Sequence, residues 1–294
     1  MKLSASSIRL FLKCPRCWYL KYQVGIRPLV EDDERRTGTA YHRMHELRGK
    51  GMAPTDAVGI VLGENAPAGH DTALRKAAAL FLGHCAVYPE PLDASAEYEL
   101  DFEIPLGRHT AIGRIDRLVL DSTDNGASVL DYKTTAQSLE ATSQYWDTLR
   151  FDWQTRLYAL AAAQLKGRCA KVVYDVARKP GIRPRMTDRK TKALETPVEY
   201  MQRLMNTLAE DPDNYYVRRE VPVLESDLRE TQREFAAIGD AIQHCIDTGG
   251  WYRNSLVESY GGHGDLAPVC LSDSPDGGSL PLGFQRQSSA KKGE

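Results

Sequence analysis

The sequence predicts an α/β protein: a mixed central β-sheet flanked by helices, with a helical N-terminal region added to it. Three observations carry this. Residues 95–104 alternate with period two, setting Tyr98, Leu100, Phe102 and Ile104 against Glu97, Glu99, Asp101 and Glu103. Two further strands, 109–120 and 128–133, are joined across Asp124-Asn125-Gly126, a turn of the hairpin type. Helical spacing fills much of the chain before them and alternates with strands after them.

Taken in order, residues 4–24 read as a helix capped by Ser4, Ser6 or Ser7, with Ile8, Phe11 and Leu12 at helical spacing. Cys14-Pro15 should interrupt it, because proline restricts the residue before it. Arg16, Trp18, Tyr19 and Lys21 then mix charge with aromatic faces, as single-strand binders do. Residues 34–50 form a second helix, carrying Gly38, His42, His45 and Glu46, and the alanine-rich stretch 72–86 a third. After the hairpin come a helix at 145–166 with an alanine–leucine face and a strand at 171–177. Residues 178–192 are a basic loop in which Arg178, Lys179, Arg183, Arg185, Arg189, Lys190 and Lys192 are opposed by Asp188 alone. A helix at 197–209, a strand near 215–223 and a helix at 226–247 follow, the last stopping at Gly249-Gly250. One domain is expected over 1–271, helical to about residue 90, with its core beyond. The Ser-, Gly- and Pro-rich residues 272–294 are expected to be a disordered tail.

Composition narrows the partners. The 294-residue chain has 42% hydrophobic and 27% charged residues, enough for a sizeable core. Its net charge of −2 excludes a uniformly basic nucleic-acid coat, so any contact with phosphates must be local. No run of about 18 apolar residues suggests a membrane span, and no signal sequence is evident, so the cytoplasm is the expected location. Oligomeric state is left open. The six cysteines (Cys14, Cys17, Cys85, Cys169, Cys245 and Cys270) are scattered, which in that compartment favours free thiols or a metal site over disulfides.

The chemistry concentrates in the hairpin. Alternation places Asp131 and Lys133 on one face of their strand and Leu130 and Tyr132 on the other. Arg114, Asp116 and Leu118 share a face of the preceding strand, so the hairpin can bring Asp116 beside Asp131. Two adjacent carboxylates repel and raise a pKa unless a cation joins them, and hard oxygen donors suit Mg²⁺ or Mn²⁺. A metal on two carboxylates with a lysine next to it is equipped for phosphodiester hydrolysis. The alternative is a polar strand face that is simply solvated.

Several motifs in order bear on that choice. Gly113-Arg114-Ile115-Asp116, Asp131-Tyr132-Lys133-Thr134 and Gln154-x-x-x-Tyr158 are preceded by Ser4-x-Ser6, Cys14-Pro15-Arg16 and Gly38-x-x-x-His42-x-x-x-Glu46. In this order they resemble the RecB-like branch of the PD-(D/E)XK nucleases. The basic loop followed by Tyr215-Tyr216-Val217-Arg218-Arg219 is similar to phage-type exonucleases of that branch. The resemblance spans roughly residues 4–270. It implies a restriction-endonuclease-like core, with His42, Asp116, Asp131 and the backbone carbonyl of Tyr132 as metal ligands and Lys133 as the catalytic lysine. Gln154 and Tyr158, one helical turn apart, would line the site and help position Lys133 or the nucleic-acid strand. Arg178, Lys179, Arg183 and Arg185 are candidates for contacting a phosphate backbone.

Many relatives in that branch also carry a 4Fe–4S cluster on one early and three late cysteines. Here Cys14 and Cys270 hold the first and last of those positions, and two thiolates are absent. An intact cluster is therefore not expected, though Cys17, Cys245 or His263 is available as a substitute ligand. The function implied is a Mg²⁺- or Mn²⁺-dependent DNA nuclease, an exonuclease before an endonuclease, acting on DNA ends or single strands. Recombination, repair or phage replication (in the host cytoplasm, if phage-encoded) would be its setting, and a helicase or recombination protein its partner. A catalytically silent DNA-binding or adaptor protein on the same fold and a structure-specific endonuclease are the alternatives.

Overall fold

The structure, a computed structural model, describes residues 1–30, 32–64, 71–89, 95–120, 126–188, 190–254, 264–272 and 279–287. The chain forms two compact units. The first lies within Met1–Glu31, Phe102–Gly113 and Glu225–Glu294, the second within Asp32–Asp101 and Arg114–Leu224.

The first unit opens with β1 (Lys2–Leu3) and α1 (Ala5–Lys13), whose N-terminal amides are capped by Ser4 accepting from Ser7 N. The break expected at Cys14-Pro15 is present. Cys14 is extended, with φ −162° and ψ 111°, and the chain restarts at Pro15 as α2 (Pro15–Trp18). A π-helical turn, Tyr19–Gln23, leads into β2 (Ile26–Pro28).

In the second unit α3 (Asp33–Gly49) is capped by Asp32 accepting from Arg35 N. Next come α4 (Pro54–Glu64), where the sequence suggested no element, and α5 (Asp71–Val87). Gly59 and Gly63 dilute the α4 periodicity, but Ala57, Val58 and Val61 are buried. The alternation over 95–104 becomes β3 (Ala96–Leu106), paired with β4 (His109–Leu120). Residues Asp124 and Asn125 of the expected turn lie outside the described residues.

β5 (Ala127–Thr135) runs antiparallel to β4, with Leu118 opposite Val129. The chain then crosses over through α6 (Gln144–Arg150) and α7 (Trp153–Lys166) to β6 (Cys169–Arg178). β6 is parallel to β5, with Tyr174 beside Asp131; a parallel neighbour demands such a helical crossover. The sequence predicted one helix over 145–166. It is two, because Asp152 leaves helical geometry to cap α7 through Gln154 N.

The basic stretch holds a small hairpin, β7 (Met186–Asp188) with β8 (Ala193–Leu194). α8 (Pro197–Glu210) starts in a capping box between Thr196 and Glu199. After the single turn α9 (Pro212–Tyr215), β9 (Tyr216–Pro222) pairs antiparallel with β6. The sheet order is β1-β4-β5-β6-β9 with β3 against β4, and it combines parallel and antiparallel pairs. The expected mixed sheet flanked by helices is thus present.

The core of the second unit packs Tyr41, Met44, Leu80, Phe81, Tyr132, Tyr200 and Leu204 between α3, α5, α8 and the sheet. At about 25 cal/mol per Å² of apolar area, each such side chain contributes about 1.5–3 kcal/mol.

The first unit resumes with α10 (Glu225–Thr248), which buries Phe235, Ile242 and Cys245 and ends before Gly249 at φ +69°. α11 (Ala267–Leu271) and β10 (Phe284–Arg286) complete it. The disordered tail expected from residue 272 needs correcting at this last strand. Phe284 pairs with Pro28 of β2, and Leu280 and Phe284 pack against the Leu20–Ile26–Leu266 cluster. Two apolar side chains in a polar stretch suffice to anchor it. Among the described residues no helix is long and apolar enough to cross a membrane.

Candidate active site

The hairpin of β4 and β5 supplies the first charges. With Arg117 opposite Leu130, Asp116 reaches the middle of β5, where its Oδ2 accepts a hydrogen bond from Tyr132 N at 3.0 Å. Asp131, wholly buried, projects from β5 on the same face as Lys133, whose Nζ lies 2.8 Å from Asp131 Oδ2. Tyr132 turns its ring the other way and stacks on His45, with ring centroids 3.9 Å apart. On α3, one turn before Glu46, His42 directs Nδ1 to Asp116 Oδ2 at 3.2 Å.

The first turn of α7 supplies the rest. Asp152 Oδ1 caps Gln154 N at 3.0 Å, while its Oδ2 lies 3.2 Å from Lys133 Nζ. Gln154 Oε1 accepts from Lys133 at 3.1 Å, and Gln154 Nε2 donates to Tyr158 Oη at 2.9 Å and, more weakly, to Asp131 Oδ1 at 3.4 Å. One amide thus ties Lys133, Asp131 and Tyr158 into a single network. This network joins four of the five expected catalytic side chains, Asp131, Lys133, Gln154 and Tyr158, and the fifth, Asp116, binds the adjacent Tyr132 N and His42.

Electrostatics follow from burial. Desolvation raises the Asp131 carboxyl to about 6, with Lys133 pulling it down and Asp116 and Asp152 pushing it up. For Lys133 burial acts downward, but Asp131 and Asp152 outweigh it and the ammonium is held firmly charged. For His42 burial again acts downward, and the Asp116 carboxylate reverses the sign, so its pKa is raised. Asp131 Oδ2 is buried with no hydrogen bond of good geometry. A buried carboxylate oxygen whose one close partner is the Lys133 ammonium, with a second carboxylate and an imidazole nearby, belongs to a donor set that fits a hard divalent cation. The ligands are not gathered yet. Among the described residues only Cys14, Cys17 and Cys270 place three such donor atoms within 4.8 Å of one another. Asp131 is instead held by Lys133 and Gln154.

Two residues of this site were not singled out by sequence. Asp152 sits where an unbroken helix was expected, and its signal was the N-cap pattern Asp152-Trp153-Gln154. Glu99 belongs to the polar side of the 95–104 alternation, which reads as a solvated face that could add a carboxylate. It is half-buried, and burial together with the Asp116 and Glu46 charges pushes its carboxyl up to about 7. Its neighbour Glu97 is ion-paired with Lys166.

The basic stretch divides. Arg178 donates to Asn214 Oδ1 at 2.6 Å and Lys179 is ion-paired with Glu34, so both point into the fold, whereas Arg183 and Arg185 are exposed. Arg189 lies outside the described residues. Of the cysteines, Cys14 and Cys270 do meet, with sulfurs 3.9 Å apart, and Cys17 joins them. Cys245 does not, and His263 lies outside the described residues. The expected residual pair is thus a triplet among the described residues, one thiolate short of the four that a cubane cluster usually takes.

The sequence profile of the PD-(D/E)XK nuclease superfamily matches residues 2–247, which include every residue of the network above. No curated protein matches the chain.

Proposed function

The chain belongs to the PD-(D/E)XK nuclease superfamily, whose nucleases use divalent metal ions, and from that membership we propose that it is a Mg²⁺- or Mn²⁺-dependent deoxyribonuclease of the RecB-like, phage-exonuclease branch. The observation that carries the reading is the convergence of Asp116, Asp131 and Lys133 with His42 from three separate elements. His42, Asp116, Asp131 and the Tyr132 carbonyl would hold the ion, which when bound would polarise a phosphoryl oxygen and lower the pKa of a bound water. Lys133 is buried, charged and next to those ligands, so it can stabilise the negative charge that grows on the phosphoryl group as water attacks in line. Gln154 fixes the direction of Lys133, and Tyr158 fixes Gln154. Each carboxylate oxygen carries two lone pairs, so Asp131 can face an ion while Asp152 and Gln154 keep Lys133 in place. Arg183 and Arg185, like Lys190 and Lys192 in the same basic stretch, are exposed and can meet a phosphate backbone from solvent.

We place the activity at DNA ends or on single strands, in recombination, repair or phage replication, with a helicase or recombination protein as the partner. The test is cleavage of end-labelled linear and circular DNA, single- and double-stranded, with Mg²⁺, Mn²⁺ or EDTA. Linear DNA should be degraded with either metal, circular DNA spared and EDTA should stop the reaction. Cutting of closed circles would make the protein an endonuclease, and no cutting of any substrate would remove the nuclease reading.

A further inference from the structure

We propose that Cys14, Cys17 and Cys270 form a three-thiolate site for one tetrahedral, thiophilic cation of the zinc(II) class, in place of an iron–sulfur cluster. The sulfur spacing carries the argument. All three Sγ atoms lie within 4.8 Å of one another, and Cys14 and Cys270 are 3.9 Å apart. A tetrahedral zinc ion with Zn–S bonds of about 2.3 Å holds two thiolates about 3.8 Å apart. A cubane binds each thiolate to a different iron at a separate corner, which spreads the sulfurs and calls for a fourth. Cys85, Cys169 and Cys245, the other cysteines, are not in the group.

Local structure explains how three thiols come together. Cys14 is extended and precedes Pro15 at the start of α2, and Cys17 follows one turn later, so Cys14-x-x-Cys17 forms the chelating pair. Cys270 comes from α11, far along the chain. Its carbonyl accepts from Arg253 Nε at 2.8 Å, and Arg16 N donates to Tyr252 O at 3.1 Å, so both partners of the site are held by bonds that need no metal. All three side chains are 0% exposed and are enclosed by Leu20, Ile26, Leu266 and Val269. Three converging thiols in a dry apolar pocket make only weak hydrogen bonds to one another, whereas a cation shared between thiolates satisfies all of them at once. Among the described residues the group offers three of the four donors that a tetrahedral ion takes. A cation here fastens residue 14 to residue 270 within the first unit.

The test uses the full chain, purified anaerobically and kept reduced, and reads metal rather than cleavage. Elemental analysis should find one zinc per chain without iron or acid-labile sulfide. Replacement by cobalt(II) should give thiolate-to-cobalt charge transfer with the intense ligand-field bands of tetrahedral cobalt. Cys17→Ser and Cys270→Ser should each weaken cobalt binding at least about tenfold, while Cys245→Ser should bind as the parent does. Should the serine variants fail to fold, the parent still decides: titration with a thiol-blocking reagent should release its zinc as three thiols react. Iron with matching labile sulfide would overturn the proposal. So would a reduced chain that takes up neither zinc nor cobalt, or recovery of a Cys14–Cys270 disulfide from protein never exposed to oxidant.

Discussion

Lys133 stands between Asp131 at 2.8 Å and Asp152 at 3.2 Å, with Gln154 as a third partner. Two carboxylates keep it charged; one of them is expected to face the metal, and the other stays with Lys133. Asp152 is therefore the residue that holds Lys133 in place during turnover, and it also caps α7. The two roles separate by substitution. Asn caps helices as well as Asp, so Asp152→Asn should leave the melting temperature nearly unchanged yet slow cleavage about tenfold, about 1.4 kcal/mol in the barrier. Asp152→Ala should add a stability loss of about 1 kcal/mol. Equal kinetics for Asp152→Asn and the parent would remove the role assigned to this carboxylate.

The same network sets a pH dependence of the metal-free chain. Asp131 is raised to about 6 and Glu99 to about 7 in the folded state, against about 3.9–4.3 when unfolded. The native state holds these protons more tightly. Their stabilising contribution is complete below about pH 4 and is lost as pH rises through 6 to 7. In chelator, denaturation midpoints of Asp131→Asn should gain on those of the parent as pH rises from 4 to 7, and Glu99→Gln should gain later in that interval. A parent and variant that run parallel across it would contradict the buried, raised carboxyl.

At the scale of elements, the β4–β5 hairpin does most of the positioning. The glycine at the head of its motif has a steric reason. A Cβ on Gly113 would lie 2.6 Å from the Phe102 ring carried by β3. Gly113→Ala should therefore cost about 1–3 kcal/mol through forced repacking, read as a lower denaturant midpoint with an unchanged slope.

The hairpin was also the most legible part of the sequence. Period-two alternation over 95–104 and the 109–120 span match β3 and β4 closely, because a strand with one polar face writes its register into the sequence. Asp131 and Lys133 share a face for the same reason. What was not legible depended on tertiary contact. The α6–α7 break hangs on a single capping aspartate, α4 on three small buried side chains between glycines, and β10 on a phenylalanine packing against residues more than 200 positions away. The raised pKa of Glu99 likewise comes from its burial and from the charges of Asp116 and Glu46, which its own strand's alternation does not show.

Across the whole chain, the superfamily match covers residues 2–247, and the nuclease network falls in the second unit. A metal held by that unit would be coupled to its folding: a ligand at about 100 times its Kd adds about 2.7 kcal/mol. Mn²⁺ or Mg²⁺ should therefore raise the temperature at which the second unit unfolds, and Asp116→Ala should abolish the increase. An increase of the same size in Asp116→Ala would place the binding elsewhere.

The central claim is that Asp116, Asp131 and Lys133 form a single metal-dependent phosphodiesterase centre. Single-turnover cleavage of labelled linear DNA in Mn²⁺, by the parent, Asp131→Ala and Lys133→Ala, tests it most directly. Each variant should bind DNA within a few-fold of the parent and cut it at least about 100-fold more slowly. Either variant cutting at the parental rate would contradict the claim.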